Sequence, residues 1–235
     1  MQASVKQYQV GGLTLELEGR TGVFPPSAHG QYFAQSIVFR PHTTVLDIGA
    51  GAGILAVTAA LHGAQVTATD VVPAALEVTH ANALRNGVEI DVHHGPFFAN
   101  LAGPFDQIVA NLPQEIVVPE KERLSAEDAI AIDGGERGNH LLIALLEQAP
   151  RYMHEQSELW LPVHTLSDFQ DTLRAALTNF NVRIHAIGDL PVKPFVLQNL
   201  DFYRELNEQG IIRIFNHQGT WYSQVWVVVL TKRSA

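Results

Sequence analysis

Short apolar runs alternate with longer amphipathic stretches through the middle of the chain, which is the pattern of repeated strand–helix units. The runs predict strands at 45–48, 65–69, 90–93, 105–110, 158–162, 182–187 and 225–231, and helices at 54–62, 73–86, 139–152 and 167–177. Strands joined through helices by short connections form a parallel sheet with helices on both faces. We therefore expect an α/β fold with a doubly wound, seven-stranded, mostly parallel sheet.

Two parts of the chain lie outside this repeating pattern. Residues 1–40 are expected to form an N-terminal extension with a helix that runs to Phe39, and residues 41–235 to form the main domain. Within that domain, 190–224 is too long for a simple connection and is predicted to be an inserted cap or hairpin. A helix is expected at 201–209, with a turn at Gly219 where glycine supplies a positive φ. Ser167 is expected to cap the helix that follows it.

Charge and composition narrow the function classes. The chain has 24 acidic and 15 basic residues, a net charge of −9, and no cysteine. Nucleic-acid binders usually carry a basic surface, so nucleic acid is not the expected partner. None of the 11 histidines shows a usual metal-binding spacing, and no metal is expected. The N-terminus lacks a signal-peptide pattern and no apolar run reaches about 20 residues, so we expect a cytoplasmic protein without membrane contact.

A glycine-rich turn follows the first core strand and opens a helix. Gly49, Gly51 and Gly53 stand at the end of the stretch VLDIGAGAG. Glycines at such a turn let a ligand approach the backbone without a Cβ in the way, and the helix N-terminus adds N–H donors. Asp47 precedes the glycines, and Asp70 ends the next strand. A carboxylate in the second position can accept hydrogen bonds from the two hydroxyls of a ribose.

Two cofactors fit this turn. The spacing Gly51-x-Gly53-x-x-Ala56 matches a variant of the dinucleotide fingerprint. The other cofactor is S-adenosylmethionine, whose methionine end carries an ammonium group. Asp47 favours S-adenosylmethionine, because a carboxylate attracts an ammonium and repels a pyrophosphate.

Together these features resemble the class I S-adenosylmethionine-dependent methyltransferases, over roughly residues 20–190 and 225–235. The resemblance implies that the last strand lies antiparallel between the fifth and sixth core strands. It also implies that the glycine turn holds the methionine end of the cofactor, that Asp70 holds the ribose, and that the residues after the second and third strands border the adenine. The cofactor-binding residues implied in this way are Asp47, Gly49, Ala50, Gly51, Gly53, Asp70, Val71, Val72, Pro96, Phe97 and Asn111.

The tetrad Asn111-Leu112-Pro113-Gln114 follows the fourth core strand and resembles the Asn-Pro-Pro-Tyr element of enzymes that methylate amide or amino nitrogens. In that family the Asn oxygen and a following backbone carbonyl accept hydrogen bonds from the target –NH2. Asn111 and Pro113 are therefore the expected catalytic residues, since proline aims the carbonyl before it. Leu112 and Gln114 are expected to bind the substrate. Because Gln114 stands where the family has an aromatic residue, a nucleobase acceptor is less expected.

Two further segments resemble the HemK-type glutamine methyltransferases, namely Phe24-Pro25-Pro26 and the DGGERG stretch at 133–138. We therefore expect Phe24, Pro25 and Pro26 to contact the substrate, and the reaction to be N-methylation of an amide or amino nitrogen, with protein glutamine as one candidate. Two alternatives stay open. One is a small-molecule methyltransferase acting on nitrogen, oxygen or sulfur, with 190–224 as its lid. The other is a non-catalytic scaffold that keeps the cofactor fold for partner binding. The sequence fixes neither the acceptor nor the oligomeric state.

Overall fold

The computed structural model describes residues 4–118 and 132–233. In these two ranges the strands are β1 Ser4–Val10, β2 Leu13–Gly19, β3 Thr44–Ile48, β4 Gln65–Asp70, β5 Asp91–His94, β6 Phe105–Ala110, β7 Met153–His164, β8 Phe180–Pro191, β9 Ile214–His217 and β10 Thr220–Lys232. The helices are α1 Ala28–Ser36, α2 Ile54–Leu61, α3 Pro73–Arg85, α4 His140–Gln148, α5 Phe169–Asn179, α6 Pro194–Gln198 and α7 Leu200–Glu208, with a 3-10 turn at Ala149–Tyr152.

The main sheet has the strand order β5-β4-β3-β6-β7-β10-β8, with β9 paired to the N-terminal end of β10. Strands β3 to β7 pair in parallel, whereas β10 is antiparallel to both of its neighbours, β7 and β8. This confirms the predicted fold class and the place of the last core strand. The sheet has eight strands because the predicted hairpin around Gly219 continues it through β9, and Gly219 has the expected positive φ of 86°.

The strand order places a crevice beside β3. The chain goes from β3 outward to β4 and β5, and then returns to β6 on the other side of β3. The loops that follow β3 and β6 therefore leave the sheet in opposite directions at its carboxyl edge. Doubly wound sheets bind their ligands in the crevice that this reversal opens.

The core lies on both faces of the sheet. Val45 belongs to an apolar cluster with residues of α1 and α2, whereas its neighbour Leu46 belongs to a cluster with residues of α4 and α5. Successive strand residues point to opposite faces, so the two clusters cover the two sides of the sheet. A third cluster joins the 190–224 segment to the loop after β6: it includes Ile116 and Tyr203, and the Tyr203 hydroxyl donates to the Ile116 carbonyl at 2.8 Å.

The N-terminal extension contains a feature that the sequence analysis missed. Strands β1 and β2 form a separate antiparallel hairpin, which buries Val10, Leu15 and Leu17 against the main core. Asn82 on α3 fastens this hairpin, since its side chain accepts from the Glu18 N–H at 2.7 Å and donates to the Glu18 carbonyl at 3.2 Å.

Three predicted boundaries are corrected. Helix α1 ends at Ser36 rather than Phe39, and α5 begins at Phe169 with Asp168 as its N-cap. The Asp168 carboxylate accepts from the Asp171 N–H at 3.0 Å, whereas the Ser167 hydroxyl donates to the His164 carbonyl and so caps nothing. The helix expected at 139–152 leaves its α geometry after Gln148 and finishes as a 3-10 turn.

Candidate functional site

A cavity of about 390 Å³ fills the crevice beside β3, which is within the range of small-molecule sites. Its walls come from the loops after β3, β4, β5 and β6, from the segment before α1, and from the ends of β7 and β8. The predicted site residues that line it are Phe24, Pro25, Pro26, Gly49, Ala50, Gly51, Asp70, Val71, Val72, Pro96, Phe97, Asn111, Leu112, Pro113 and Gln114. The structure thus brings the predicted cofactor and substrate residues to one cavity, with Asp47 and Gly53 outside its lining.

The glycine turn has a backbone that only glycine adopts without strain. Gly49, Gly51 and Gly53 have φ values of 75°, 55° and 83°. A Cβ on Gly49 would lie 2.9 Å from Leu112 Cδ2, so the turn and the tetrad loop approach each other at this point. A Cβ on Gly51 would meet nothing nearer than the Phe24 carbonyl oxygen at 3.9 Å, so the backbone there borders open space.

Helix α3 holds the glycine turn in place. The Thr79 hydroxyl donates to the Gly51 carbonyl at 3.1 Å, and Asn82 Nδ2 donates to the Ala52 carbonyl at 3.0 Å. Thr79 and Asn82 are fully buried. The sequence analysis missed both residues. Their sequence signal is two polar residues, three positions apart, on the otherwise apolar buried face of the helix.

Asp70 lies at the end of β4 and is 9% exposed. Its Oδ2 accepts from the Gly51 N–H at 2.9 Å, and its Oδ1 accepts from the Val72 N–H at 2.8 Å. A carboxylate has about four acceptor positions, so each oxygen retains capacity for one further donor. Asp70 therefore shapes the turn and also presents two acceptors to the cavity.

Asp47 lies outside the cavity lining. The side chain is fully buried behind the glycine turn, where its Oδ2 accepts from the Ala56 N–H in the first turn of α2 at 3.0 Å. Burial raises the pKa of Asp47 to about 7, the Ala56 N–H opposes that rise, and the charge of Asp70 adds to it. Among the described residues its Oδ1 has no hydrogen-bond partner. The side chain therefore caps the first turn of α2, and its predicted contact with an ammonium group stays a prediction.

The loops after β4 and β5 form the opposite wall. Val71, Val72, Pro96 and Phe97 all line the cavity there, as predicted for an adenine-binding surface. Phe97 has a φ of 47°, and its carbonyl accepts from the Thr69 hydroxyl at 3.0 Å, which ties this loop to β4.

The tetrad divides into residues that face the cavity and one that supports them. Asn111 lies against α1, since a Cβ on Gly30 would be only 3.1 Å from Asn111 Nδ2. Gln114 is 1% exposed; its Oε1 accepts from the His164 N–H at 2.9 Å and its Nε2 donates to the Leu112 carbonyl at 3.4 Å. With both ends of the amide engaged, Gln114 positions the loop against β7, and its contact with the substrate stays a prediction.

The stretch at 133–138 packs directly on this loop. A Cβ on Gly134 would lie 2.6 Å from the Cα of Gln114, so only glycine permits this approach. Arg137 is ion-paired with Asp168, the N-cap of α5. The stretch therefore clamps the tetrad loop between α5 and the sheet.

A buried polar cluster beside the tetrad was missed entirely. It consists of His29 on α1, Glu115 after the tetrad, His164 at the end of β7 and Lys193 after β8. Lys193 Nζ donates to Glu115 Oε1 at 2.5 Å, and the rings of His29 and His164 lie 4.7 Å apart. No sequence signal could have found the cluster, because its members are far apart along the chain and fit no motif.

Burial governs the protonation of this cluster. It raises the pKa of Glu115, against the opposing charge and hydrogen bond of Lys193. Burial lowers the pKa of His29 to about 4, with a further contribution from Lys193, and it lowers that of His164 well below its ordinary value. Both imidazoles are therefore neutral at pH 7, beside one carboxylate and one ammonium.

Comparison with known proteins indicates the class of enzyme. The family model of ribosomal protein L11 methyltransferases matches residues 32–135. A Methanocaldococcus jannaschii protein named "putative protein N5-glutamine methyltransferase" is 25% identical over 81% of this chain and 96% of its own length. The release factor glutamine methyltransferase of Deinococcus radiodurans is 36% identical over 45% of this chain, and that alignment spans only 40% of the enzyme.

The chain is an S-adenosylmethionine-dependent methyltransferase. A solved structure agrees at the level of the fold: the T. thermophilus 16S rRNA N2 G1207 methyltransferase, in complex with AdoMet and guanosine, has a TM-score of 0.61 and 16% identity, covering 98% of this chain and 51% of its own. The cofactor of this methyltransferase is S-adenosylmethionine, so the dinucleotide and non-catalytic alternatives are wrong.

The residues of the cavity fit this cofactor. The open backbone at Gly51 accommodates a close ligand, and the Asp70 carboxylate retains acceptors for two hydroxyls. When bound, S-adenosylmethionine supplies a methyl group on a sulfonium, which is a strong leaving group. The protein's part is to hold the nucleophile in line and to exclude water.

Two further observations concern metal binding and membrane insertion. Within residues 4–118 and 132–233, no three His, Cys, Asp or Glu side chains are arranged to hold a metal ion. In the same part of the chain no helix combines the length and apolar character needed to cross a bilayer.

Proposed function

We propose that this methyltransferase transfers the methyl group to an amide or amino nitrogen, with the side chain of a protein glutamine as the leading candidate. The observation that carries the proposal is the position of Asn111. It follows β6 at the carboxyl edge of the sheet and lines the same cavity as the glycine turn and Asp70.

Asn111 has the chemistry that such an acceptor needs. An amide nitrogen is a poor nucleophile, because its lone pair is delocalised into the carbonyl. An acceptor oxygen that pulls on the N–H hydrogens localises this lone pair and turns it toward the methyl group. Pro113 supports this role by fixing the backbone that aims the Leu112 carbonyl. That carbonyl also accepts a long hydrogen bond of 3.4 Å from Gln114, which leaves it a second lone pair.

A protein acceptor is supported by the relatives. The M. jannaschii and D. radiodurans proteins are named for glutamine methylation, and the matching family is named for a ribosomal protein. Phe24, Pro25 and Pro26 form the rim of the cavity before α1, where they would contact a bound peptide.

The 190–224 segment supports a second candidate. Lys193 reaches the cavity from this segment, which packs on the tetrad loop through Tyr203 and Ile116. In a small-molecule methyltransferase the same segment would be the substrate lid. In both cases we assign 1–40 to an N-terminal extension and 41–235 to the methyltransferase domain, with 190–224 as the part that recognises the acceptor.

The test is to separate acceptor positioning from cofactor binding. Lysate proteins and glutamine peptides are first labelled with methyl-tritiated S-adenosylmethionine to find an acceptor. Asn111→Ala should then lower turnover roughly 10²-fold, if orientation contributes about 2.7 kcal/mol to the barrier. S-adenosylhomocysteine affinity should change a few-fold at most, because Asn111 acts on the acceptor.

A matched control is Asn181→Ala on the exposed start of β8, where the side chain donates to the Lys232 carbonyl far from the cavity. That variant should keep both turnover and affinity. If Asn111→Ala methylates the acceptor at the wild-type rate, the tetrad is only a turn and the assignment to nitrogen fails.

A further inference from the structure

The polar cluster of Glu115, His164 and Lys193 lines the acceptor side of the cavity. Its members follow β6, end β7 and follow β8, three strands that run in the same direction. The sheet therefore delivers all three side chains to its carboxyl edge, next to Asn111. Lys193 is the member contributed by the 190–224 segment, immediately before α6.

Several polar atoms of the cluster are buried without a protein partner. Glu115 is 2% exposed and His164 is 5% exposed. Among residues 4–118 and 132–233, Glu115 Oε2 and both ring nitrogens of His164 have no hydrogen-bond partner. A native protein rarely leaves such groups unsatisfied, so in a binding cavity they indicate where a polar ligand belongs.

The fold itself does not require these charges. Burying a charge costs several kcal/mol and an ion pair repays that cost only weakly, so the pairing of buried Glu115 with the partly exposed Lys193 is poor evidence for a structural role. The cluster also does not match a metal site within the described part of the chain. A role in recognising the substrate accounts for both its burial and its position.

The charges of the cluster balance. Glu115 and Lys193 cancel, while the imidazoles of His29 and His164 are neutral because burial holds their pKa values low. Tyr203, a further titratable group near Glu115 within the described part of the chain, has a pKa raised by burial and is also neutral. A cationic alkylamine would thus meet no net negative charge and would lose its hydration. A neutral group with N–H donors and an oxygen acceptor would find a partner for each.

We propose that Glu115 and Lys193, with His164 beside them, form an acceptor-selecting subsite that takes an uncharged group carrying both N–H donors and an oxygen. Lys193 Nζ donates to the oxygen of the acceptor, and Glu115 Oε2 accepts from an N–H. The subsite rests on the proposed nitrogen transfer and makes Lys193 the residue by which the 190–224 segment sets acceptor specificity.

Binding of two small probes tests the subsite without methyl transfer. Propionamide and n-propylammonium have the same chain length and differ in charge. Each is titrated into the enzyme saturated with S-adenosylhomocysteine, with ¹³C-labelled histidine observed by NMR and the His164 signal assigned through His164→Gln. The wild type should bind propionamide at least tenfold more tightly, with a shift of the His164 signal.

Lys193→Met should reduce the ratio of the two affinities at least tenfold, because it removes the oxygen's donor and leaves the Glu115 carboxylate free to attract a cation. Lys232→Met is the matched control: Lys232 donates to the Met153 carbonyl at the opposite edge of the sheet, and its loss should leave the ratio unchanged. Should Lys193→Met fail to fold, Glu115→Gln/Lys193→Met removes both charges together and should still reduce the ratio, because the amide oxygen loses the Lys193 donor.

A wild-type preference for n-propylammonium would overturn the proposal, as would an unchanged ratio in the variant that folds or a His164 signal that neither probe moves. These outcomes are independent of the proposed function. Failure to methylate any nitrogen would refute nitrogen transfer while leaving the ratio of the two probe affinities measurable. Equal affinities for the two probes would refute the subsite in an enzyme that does methylate nitrogen.

Discussion

Replacement of Asp70 by alanine is the perturbation whose effect follows most directly from the structure. The carboxylate is 9% exposed and receives the N–H groups of Gly51 and Val72. Its remaining acceptor positions face the cavity, where we expect two ribose hydroxyls to donate to them. Asp70→Ala therefore removes ligand contacts and two supports of the cavity wall.

The magnitude can be worked from these bonds. A hydrogen bond to a charged group contributes about 1.5–3 kcal/mol, so two of them contribute about 3–6 kcal/mol. With about 1.4 kcal/mol for each factor of ten, the affinity for S-adenosylhomocysteine should fall at least tenfold and by up to roughly 10⁴-fold. Loss of the carboxylate acceptor of the Gly51 and Val72 N–H groups should lower the free energy of unfolding by about 1–3 kcal/mol, since both groups border the cavity and can be hydrated.

Isothermal titration calorimetry with S-adenosylhomocysteine measures the first effect, and urea denaturation without ligand measures the second. Asp91→Ala is the control, because Asp91 is an exposed carboxylate on the neighbouring strand β5 that pairs only with His93 among the described residues. Its affinity should stay within about twofold of the wild type. An Asp70→Ala variant that binds as tightly as the wild type would refute the assignment of Asp70 to the ribose.

Three further predictions concern the site. Gly49→Ala should cost more stability than Gly219→Ala in urea denaturation. Both glycines have a positive φ, so backbone strain alone should cost about 1–2 kcal/mol in each variant, but only the Gly49 substitution places a Cβ 2.9 Å from Leu112. Equal losses of stability would contradict the close approach. Asp47→Asn should gain stability relative to the wild type between pH 5 and pH 8. In the wild type, the pKa of Asp47 is about 7 in the folded state, above the value of 3.8 in the unfolded state. The stability contributed by the protonated carboxyl is therefore present below about pH 4 and is lost as pH rises through 7, by up to about 4 kcal/mol. His29→Gln should reduce the loss of stability on acidification. A histidine with a pKa lowered to about 4 stabilises the fold above pH 6.5 and loses that contribution as pH falls through 4. If the variant lost as much stability as the wild type at acidic pH, burial of His29 as a neutral ring would be contradicted.

Much of the fold was predictable because the core strands are buried on both faces. Such strands are almost continuously apolar, as in 45–48 and 105–110, and the sheet order follows from the resemblance to a known family. The β1–β2 hairpin escaped prediction because the burial pattern of β1 leaves a single buried residue, Val10. Gly11-Gly12 between two alternating stretches was nevertheless a usable hairpin signal, and both glycines have a positive φ.

The candidate site was predictable only where its residues form a local pattern. The glycine turn and the tetrad are contiguous in the sequence, and each lines the cavity as expected. The burial of Asp47 was not predictable, because an acid at the end of a strand can face a ligand or cap the next helix, and the sequence alone does not separate the two. The Glu115, His164 and Lys193 cluster is assembled by the strand order β6-β7-β10-β8, which leaves no spacing to recognise.

The most direct test of the account is the identity of the methylated atom. An acceptor labelled by the wild-type enzyme with methyl-tritiated S-adenosylmethionine is hydrolysed in strong acid, and the volatile products are separated by chromatography. Methyl transfer to a carboxamide nitrogen predicts that the tritium is released as methylamine, because acid cleaves the amide but not the new N–CH₃ bond. Tritium retained on an amine-bearing amino acid would move the acceptor from protein glutamine to an amino nitrogen, whereas tritium released as methanol from an ester would contradict nitrogen transfer.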